Sequence, residues 1–319
     1  MKITSQDIKA AAKRMGADIV GIGSIDRWST APIQMDPKQI MPNAKSVIAL
    51  GFRVLRGSLR GIEDGTTYYQ YTTTGVETLE ETLMPTALLR VSAALEDEGY
   101  LGIPQRRNQQ LQGSADAVNP EMLHHTFYPG GAKELQLDFT EAAIACGLGE
   151  RGLSGSLLTD DFGPLQRMVF VITDAELEPS PLVVPHICDN CGACVSACPG
   201  HAISESGELD GWQCAAYYRG ASRKTNPYMP PDAYADLPNR REIMQGSASL
   251  SPEEAKEVMA RTYFYPPIKH GYVSSICGRA CDRACYAHLE ESGKLKRSFN
   301  LKFRRRPVWE LSVDEPEEK

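Results

Sequence analysis

Residues 188–199 read CDNCGACVSACP, and this run limits what the chain can fold into more than any other feature. Its four cysteines, Cys188, Cys191, Cys194 and Cys198, are spaced by two, two and three residues and closed by Pro199. Nine cysteines stand in the 319-residue sequence, eight of them within the last 132 residues. The start, MKITSQDIKAAAKRMG, lacks the apolar stretch of about seven residues that export signals carry, and it lacks a twin arginine. It reads instead as a capped amphipathic helix, so the chain is expected in the cytoplasm. Thiols clustered in a reducing compartment point to metal rather than to disulfides.

Two-residue gaps let a tight loop aim three thiolates at the corners of one cubane, while the fourth cysteine points across to a second cluster. Structural zinc normally takes one or two CxxC pairs, not four cysteines followed by proline. The run is therefore read as the bacterial two-cluster ferredoxin type. The crossing rule gives one cluster Cys188, Cys191, Cys194 and Cys285, and the other Cys198, Cys214, Cys277 and Cys281. The second group, CGRACDRAC, has three-residue gaps and no closing proline, which leaves the partition open. Cys146 is left over and reads as a small buried hydrophobe.

No stretch reaches about 18 uninterrupted apolar residues, so no membrane helix is expected. The balance of 34 basic and 41 acidic residues, a net −7, argues against wholesale coating of nucleic acid. Helices are predicted at 5–15, 77–98 (with Pro85 as a kink) and 138–146. Strands are predicted at DIVGIGSI, SVIALGF, LSGSLLT and LQRMVFVIT. No GxGxxG follows a strand, so the pattern is α+β rather than a dinucleotide fold. Three prolines make 176–187 read as a linker. The expected organisation is an α+β domain over 1–180, a two-cluster ferredoxin-like domain over 181–292 with an insertion at 215–276, and a charged tail over 293–319. That tail opens with KLKRSFNLKFRRRP, seven basic residues between 294 and 306.

The segment GLGERGLSGSLLTDDFGPLQRMVFVITDAEL, residues 147–177, resembles the part preceding the clusters in corrinoid-dependent reductive dehalogenases and in epoxyqueuosine reductases. GADIVGIGSIDRW, MPNAKSVIALGF and the Gly-Trp212-Gln-Cys214 ligand context are similar too. The resemblance implies a nitroreductase-like domain binding cobalamin base-off, with Gly147, Gly149, Gly152 and Leu157 at the cofactor, beside two [4Fe–4S] clusters. No DxHxxG histidine-ligand motif is present, in keeping with that family habit. Epoxyqueuosine reductases carry a donor aspartate upstream of the glycine turn. Here the ungapped equivalent falls near Lys133, and Asp138 is displaced. Dehalogenases use a tyrosine assisted by a basic residue, which makes Tyr128 the candidate proton donor, with Lys133 or Arg167 lowering its pKa.

The function expected from this is reduction of a small organic molecule by electrons passed through two clusters to cobalamin, with an external donor such as a ferredoxin or flavodoxin. Two alternatives stay open. One is an electron carrier that reduces a partner's corrinoid or flavin. The other is epoxyqueuosine reduction on tRNA, which the basic run would serve, although such runs are usually solvated.

Overall fold

The computed structural model describes residues 3–106, 137–262, 275–304 and 307–314. Its centre is a four-stranded antiparallel sheet in the order β1-β2-β6-β3, built from β1 (Ile19–Ser24), β2 (Ser46–Arg53), β3 (Gly102–Gln105) and β6 (Gln166–Thr173). A second, two-stranded sheet pairs β4 (Glu150–Arg151) with β5 (Leu157–Leu158). The alternation of side chains along β2 and β6 creates two cores. Ile48, Leu50, Phe52, Val169 and Val171 face one, with Ile8 and Ala12 of helix α1 (Ser5–Arg14) and Leu88 and Val91 of helix α2 (Met84–Glu96). Val47, Ala49, Phe170 and Ile172 face the other, with Ala142 and Ala143 of helix α3 (Phe139–Ala145). The fold is α+β.

Local chemistry moves several boundaries. Thr4, not Ser5, caps α1, because its hydroxyl takes the Asp7 amide while Asp7 bonds back to Thr4. The helix predicted from residue 77 begins earlier and differently. Tyr71–Glu77 and Leu79–Leu83 are π-helical, and the α-helix starts at Met84 with Pro85 in its first turn. Proline costs nothing there, since first-turn amides have no partner inside the helix. The run LSGSLLT forms only the two-residue β5, because Gly155 at φ +77° turns the chain before it.

The 176–187 segment is regular nowhere, yet it is tied down. The Ser180 amide donates to the Ile22 carbonyl (2.8 Å), the Ile22 amide donates to Ser180 Oγ (3.1 Å), and Leu177 is buried. The 294–304 stretch, read as part of a charged tail, is docked as well. Phe303 is buried against Tyr286, and Arg304 pairs with buried Glu63, which also pairs with Arg283. Lys294, Lys296 and Arg297 bind Asp189, Asp160 and Asp161. The insertion carries a core of its own around Trp212, Tyr217, Ile243 and Val258.

Candidate functional site: two thiol sets and a cleft

Three short elements carry the thiols. Helix α4 (Ala193–Ser196) follows Gly192, whose φ of +73° turns the loop so that Cys191 and Cys194 approach Cys188. Helix α5 (Gly211–Tyr218) carries Cys214. Helix α6 (Ala280–Glu291) carries both Cys281 and Cys285. Residues four apart on a helix share a face about one turn, roughly 6 Å, from each other. The gap from Cys281 to Cys285 is therefore helical spacing, whereas Cys277 precedes the helix and the two-residue gaps of the first run belong to a loop.

Two groups result. Cys188, Cys191, Cys194 and Cys285 line one small cavity with Gly152, Leu153, Ser154 and Leu158. Cys191 is exposed, so this set reaches the surface. Cys198, Cys214, Cys277 and Cys281 form the other, deeper group, in which the thiol of Cys214 feels those of Cys277 and Cys198. Burial pushes the Cys214 thiol up to about 12. It pushes the Cys285 and Cys281 thiols up as well. Thiols gathered in sets of four are a donor set for a soft metal cluster, which binds them as thiolates and displaces their protons. Backbone amides already point at sulfur: Leu153 donates to Cys188 Sγ (3.4 Å) and Ala202 to Cys198 Sγ (3.2 Å).

Beside these sets lies a cleft of about 450 Å³, at the start of β6. Its walls include Phe139, Thr140, Ser154, Ser156, Leu157, Met168, Arg167 and Arg279. Ser154 belongs to both the cleft and the outer thiol cavity. Arg167 points to the α2 side of the sheet, where it donates to the buried Tyr71 hydroxyl (3.0 Å) and lies 3.7 Å from the Glu80 carboxylate. Burial drives the Tyr71 hydroxyl above its ordinary pKa, and the nearby Arg167 and Arg279 charges offset only part of that rise. Arg279 has φ +52° and pairs with buried Asp282 (2.7 Å), which accepts from Ser156 (2.8 Å). This chain of contacts joins the cleft wall to helix α6 and the deeper thiols.

The expected site residues are distributed unevenly. Arg167 and Leu157 line the cleft. Asp138 caps α3, accepting from the Thr140 and Glu141 amides, and sits 4.0 Å from Arg151. Gly147 and Gly149 line a different cavity of about 420 Å³, next to Asp18 and Asp160. What requires glycine at 147 and 149 is the chain's own backbone: a Cβ there would run into the carbonyl oxygens of Pro181 and Leu158. A Cβ at Gly152 would press on the Leu158 side chain at 2.9 Å. Tyr128 and Lys133 lie outside the described residues. Sequence reasoning missed Tyr71, Glu80, Ser156 and Arg279. Only Arg279, a lone cation inside CGRAC, carried a readable signal.

A 4Fe-4S binding domain matches residues 181–204. The tetrachloroethene reductive dehalogenase of Desulfitobacterium hafniense is 45% identical over 65 residues, 19% of this chain and 12% of that protein. The epoxyqueuosine reductase of Gloeobacter violaceus is 24% identical over 242 residues, covering 68% of this chain and 66% of its own length. The chain is homologous to reductive dehalogenases and epoxyqueuosine reductases. The chain thus carries a 4Fe-4S binding segment and is similar to members of two reductase families, and its match spans only part of each relative. Among solved structures, an epoxyqueuosine reductase from Streptococcus thermophilus is similar over 89% of this chain and 81% of that one, at 13% identity and a TM-score of 0.46. A catabolic reductive dehalogenase in complex with 3-bromo-4-hydroxybenzoic acid is similar over 80% and 35%, at 18% identity and a TM-score of 0.47. Among the described residues no helix is long and apolar enough to cross a membrane.

Proposed function

We propose that this chain is a corrinoid- and iron–sulfur-dependent reductase acting on a small organic molecule. Electrons would come from an external carrier such as a ferredoxin or flavodoxin. The observation that carries the reading is the arrangement of two four-thiol sets, one opening to the surface at Cys191 and one half-buried beside Arg279, which lines the cleft. Each set would hold a [4Fe–4S] cluster, the outer one receiving electrons and the inner one delivering them. The cleft's chemistry fits a macrocycle with an apolar face and an amide rim. Phe139, Leu157 and Met168 offer apolar surface, and Thr140, Ser154 and Ser156 offer hydroxyls. Cobalamin, held by these residues, would supply a strongly reducing cobalt centre.

The chain's own residues supply the proton and its control. Tyr71 lies buried behind the cleft wall, which Arg167 lines; its phenol is protonated at neutral pH, burial holds that proton more tightly than usual, and its oxygen accepts from Arg167. The guanidinium would stabilise the phenolate left behind, while Glu80 balances the charge. Tyr128 with Lys133 is the competing donor pair. Lys294, Lys296, Arg297 and Arg304 of the basic run pair with the chain's own carboxylates, which speaks against a tRNA surface there. An electron-carrier role keeps one argument: a cleft of 450 Å³ would take up only part of a whole corrinoid, the rest lying outside it.

Anaerobic reconstitution with iron, sulfide and cobalamin tests the reading. The expected result is about eight iron and eight sulfide per chain with bound cobalt. In that protein Tyr71→Phe keeps both metals and loses turnover on halogenated or epoxide substrates by roughly 100-fold. Zinc, or about four iron, removes the two-cluster assignment. Full iron without cobalt uptake replaces the reductase by the carrier. Normal turnover in Tyr71→Phe, with loss in Tyr128→Phe, moves the donor to Tyr128.

A further inference from the structure

The glycine turn contains a buried carboxylate whose position the proposed chemistry has not used. Glu150 is 4% exposed, and its carboxylate faces the backbone that enters the first cysteine run. One oxygen accepts from the Cys188 amide at 2.7 Å. The other accepts from the amides of His186 at 2.6 Å and Ile187 at 3.1 Å. Three successive N–H groups, which a loop in this place could aim at a cluster, are taken by a buried carboxylate instead. Two residues past β4 the same hairpin returns one donor, the Leu153 amide, to Cys188 Sγ.

We propose that Glu150 is a positioning residue for the outer cluster, fixing the Cys188 loop and holding that cluster's reduction potential low. Two physical effects act in the same direction. Hydrogen bonds to cluster sulfur favour the reduced, more negative state, so amides diverted to a carboxylate leave the potential lower. A negative charge buried beside the first ligand also disfavours adding an electron. A low outer potential lets the chain pass electrons inward rather than hold them at Cys191. The inference rests on the assignment of Cys188, Cys191, Cys194 and Cys285 to one cluster.

Redox titration followed by electron paramagnetic resonance on the reconstituted full chain tests it, with Cys191→Ala identifying which signal is the outer cluster's. Glu150→Gln removes the charge and puts an amide donor against backbone donors. The expected result is a higher midpoint potential for the outer cluster and an unchanged one for the inner. Glu150→Asp keeps the charge, so its outer potential stays close to that of the unsubstituted chain even where its melting temperature falls. Loss of only the outer four iron in Glu150→Gln, with Glu150→Asp retaining them, also supports the proposal. It is overturned if Glu150→Gln keeps both clusters with neither potential moved, or if both clusters shift alike. It is also overturned if Glu150→Asp raises the outer potential as Glu150→Gln does. Failure of the underlying assignment looks different: the unsubstituted chain then carries zinc or too little iron.

Discussion

At the scale of single residues, Gly149 answers to the chain's own backbone and Cys146 is the buried hydrophobe its isolation suggests. Gly149 sits where any side chain would strike the Leu158 carbonyl, so its role is to let β4 and β5 close. Gly149→Ala is therefore expected to destabilise the whole chain by about 3 kcal/mol, seen as a lower denaturant midpoint in protein without any corrinoid. A variant with an unchanged midpoint that failed only to bind corrinoid would return the glycine to the cofactor. Cys146 is fully buried in the second core, bonds to the Val47 carbonyl at 3.3 Å, and has its thiol pushed up to about 12 by burial. That accounts for its separateness from the eight clustered thiols. Glu63 is a harder case of burial. Desolvation alone would raise its carboxyl, but the Arg304 hydrogen bond and the Arg283 and Arg304 charges outweigh it and hold the pKa below the ordinary 4.5. A lowered folded pKa means that the stabilisation is complete above about pH 4.5 and disappears as the pH falls through the lowered value. Glu63→Gln should cost about 2 kcal/mol at pH 7, because two half-buried guanidinium groups lose their buried partner. It should also flatten the acid limb of the stability curve, measured by urea unfolding between roughly pH 3 and 7. An unchanged acid limb would remove Glu63 from the account.

At the scale of elements, legibility follows periodicity. β1, β2 and β6 were readable because each is a run of apolar, β-branched residues bounded by turns, and α1 and α3 because caps and apolar spacing agree. The π-helical stretch 71–83 was not readable. Its geometry depends on i→i+5 bonds, and no side-chain pattern announces them. For that reason Tyr71, the partner of Arg167, escaped notice although Arg167 did not. The thiol sets were legible as ligand chemistry, yet the three-residue gaps looked irregular until Cys281 and Cys285 were seen on one helix. Contacts such as Ser156 with Asp282 span 126 positions, and local sequence carries no trace of them. The basic segment 294–304 was misleading for a related reason. Charge density suggests solvent, but the partners that neutralise it lie far back in the chain.

At the scale of the whole molecule, the thiol sets couple metal content to stability. Burial raises the pKa of Cys214 to about 12, so the metal-free fold keeps protonated thiols and cluster assembly must release their protons. Anaerobic removal of iron with a chelator is expected to lower the melting temperature, and refilling with iron and sulfide to restore it with net proton release, read in weakly buffered solution. Equal melting temperatures for the two forms would mean that the thiol sets do not bear on the fold. Helix α6 joins both sets, and through Asp282 and Arg279 it also touches the cleft wall, so the chemistry and the scaffold share one element. The docking of Phe303 has a consequence in time rather than space. Arg60 donates to the Phe303 carbonyl across 243 positions. At a synthesis rate of about 5–20 residues per second, the early part of the chain waits roughly 12–50 seconds for the residue that completes its packing. Until then the nascent protein exposes the apolar face around Leu59 and Ile62, and it is in that interval that a chaperone would find something to hold.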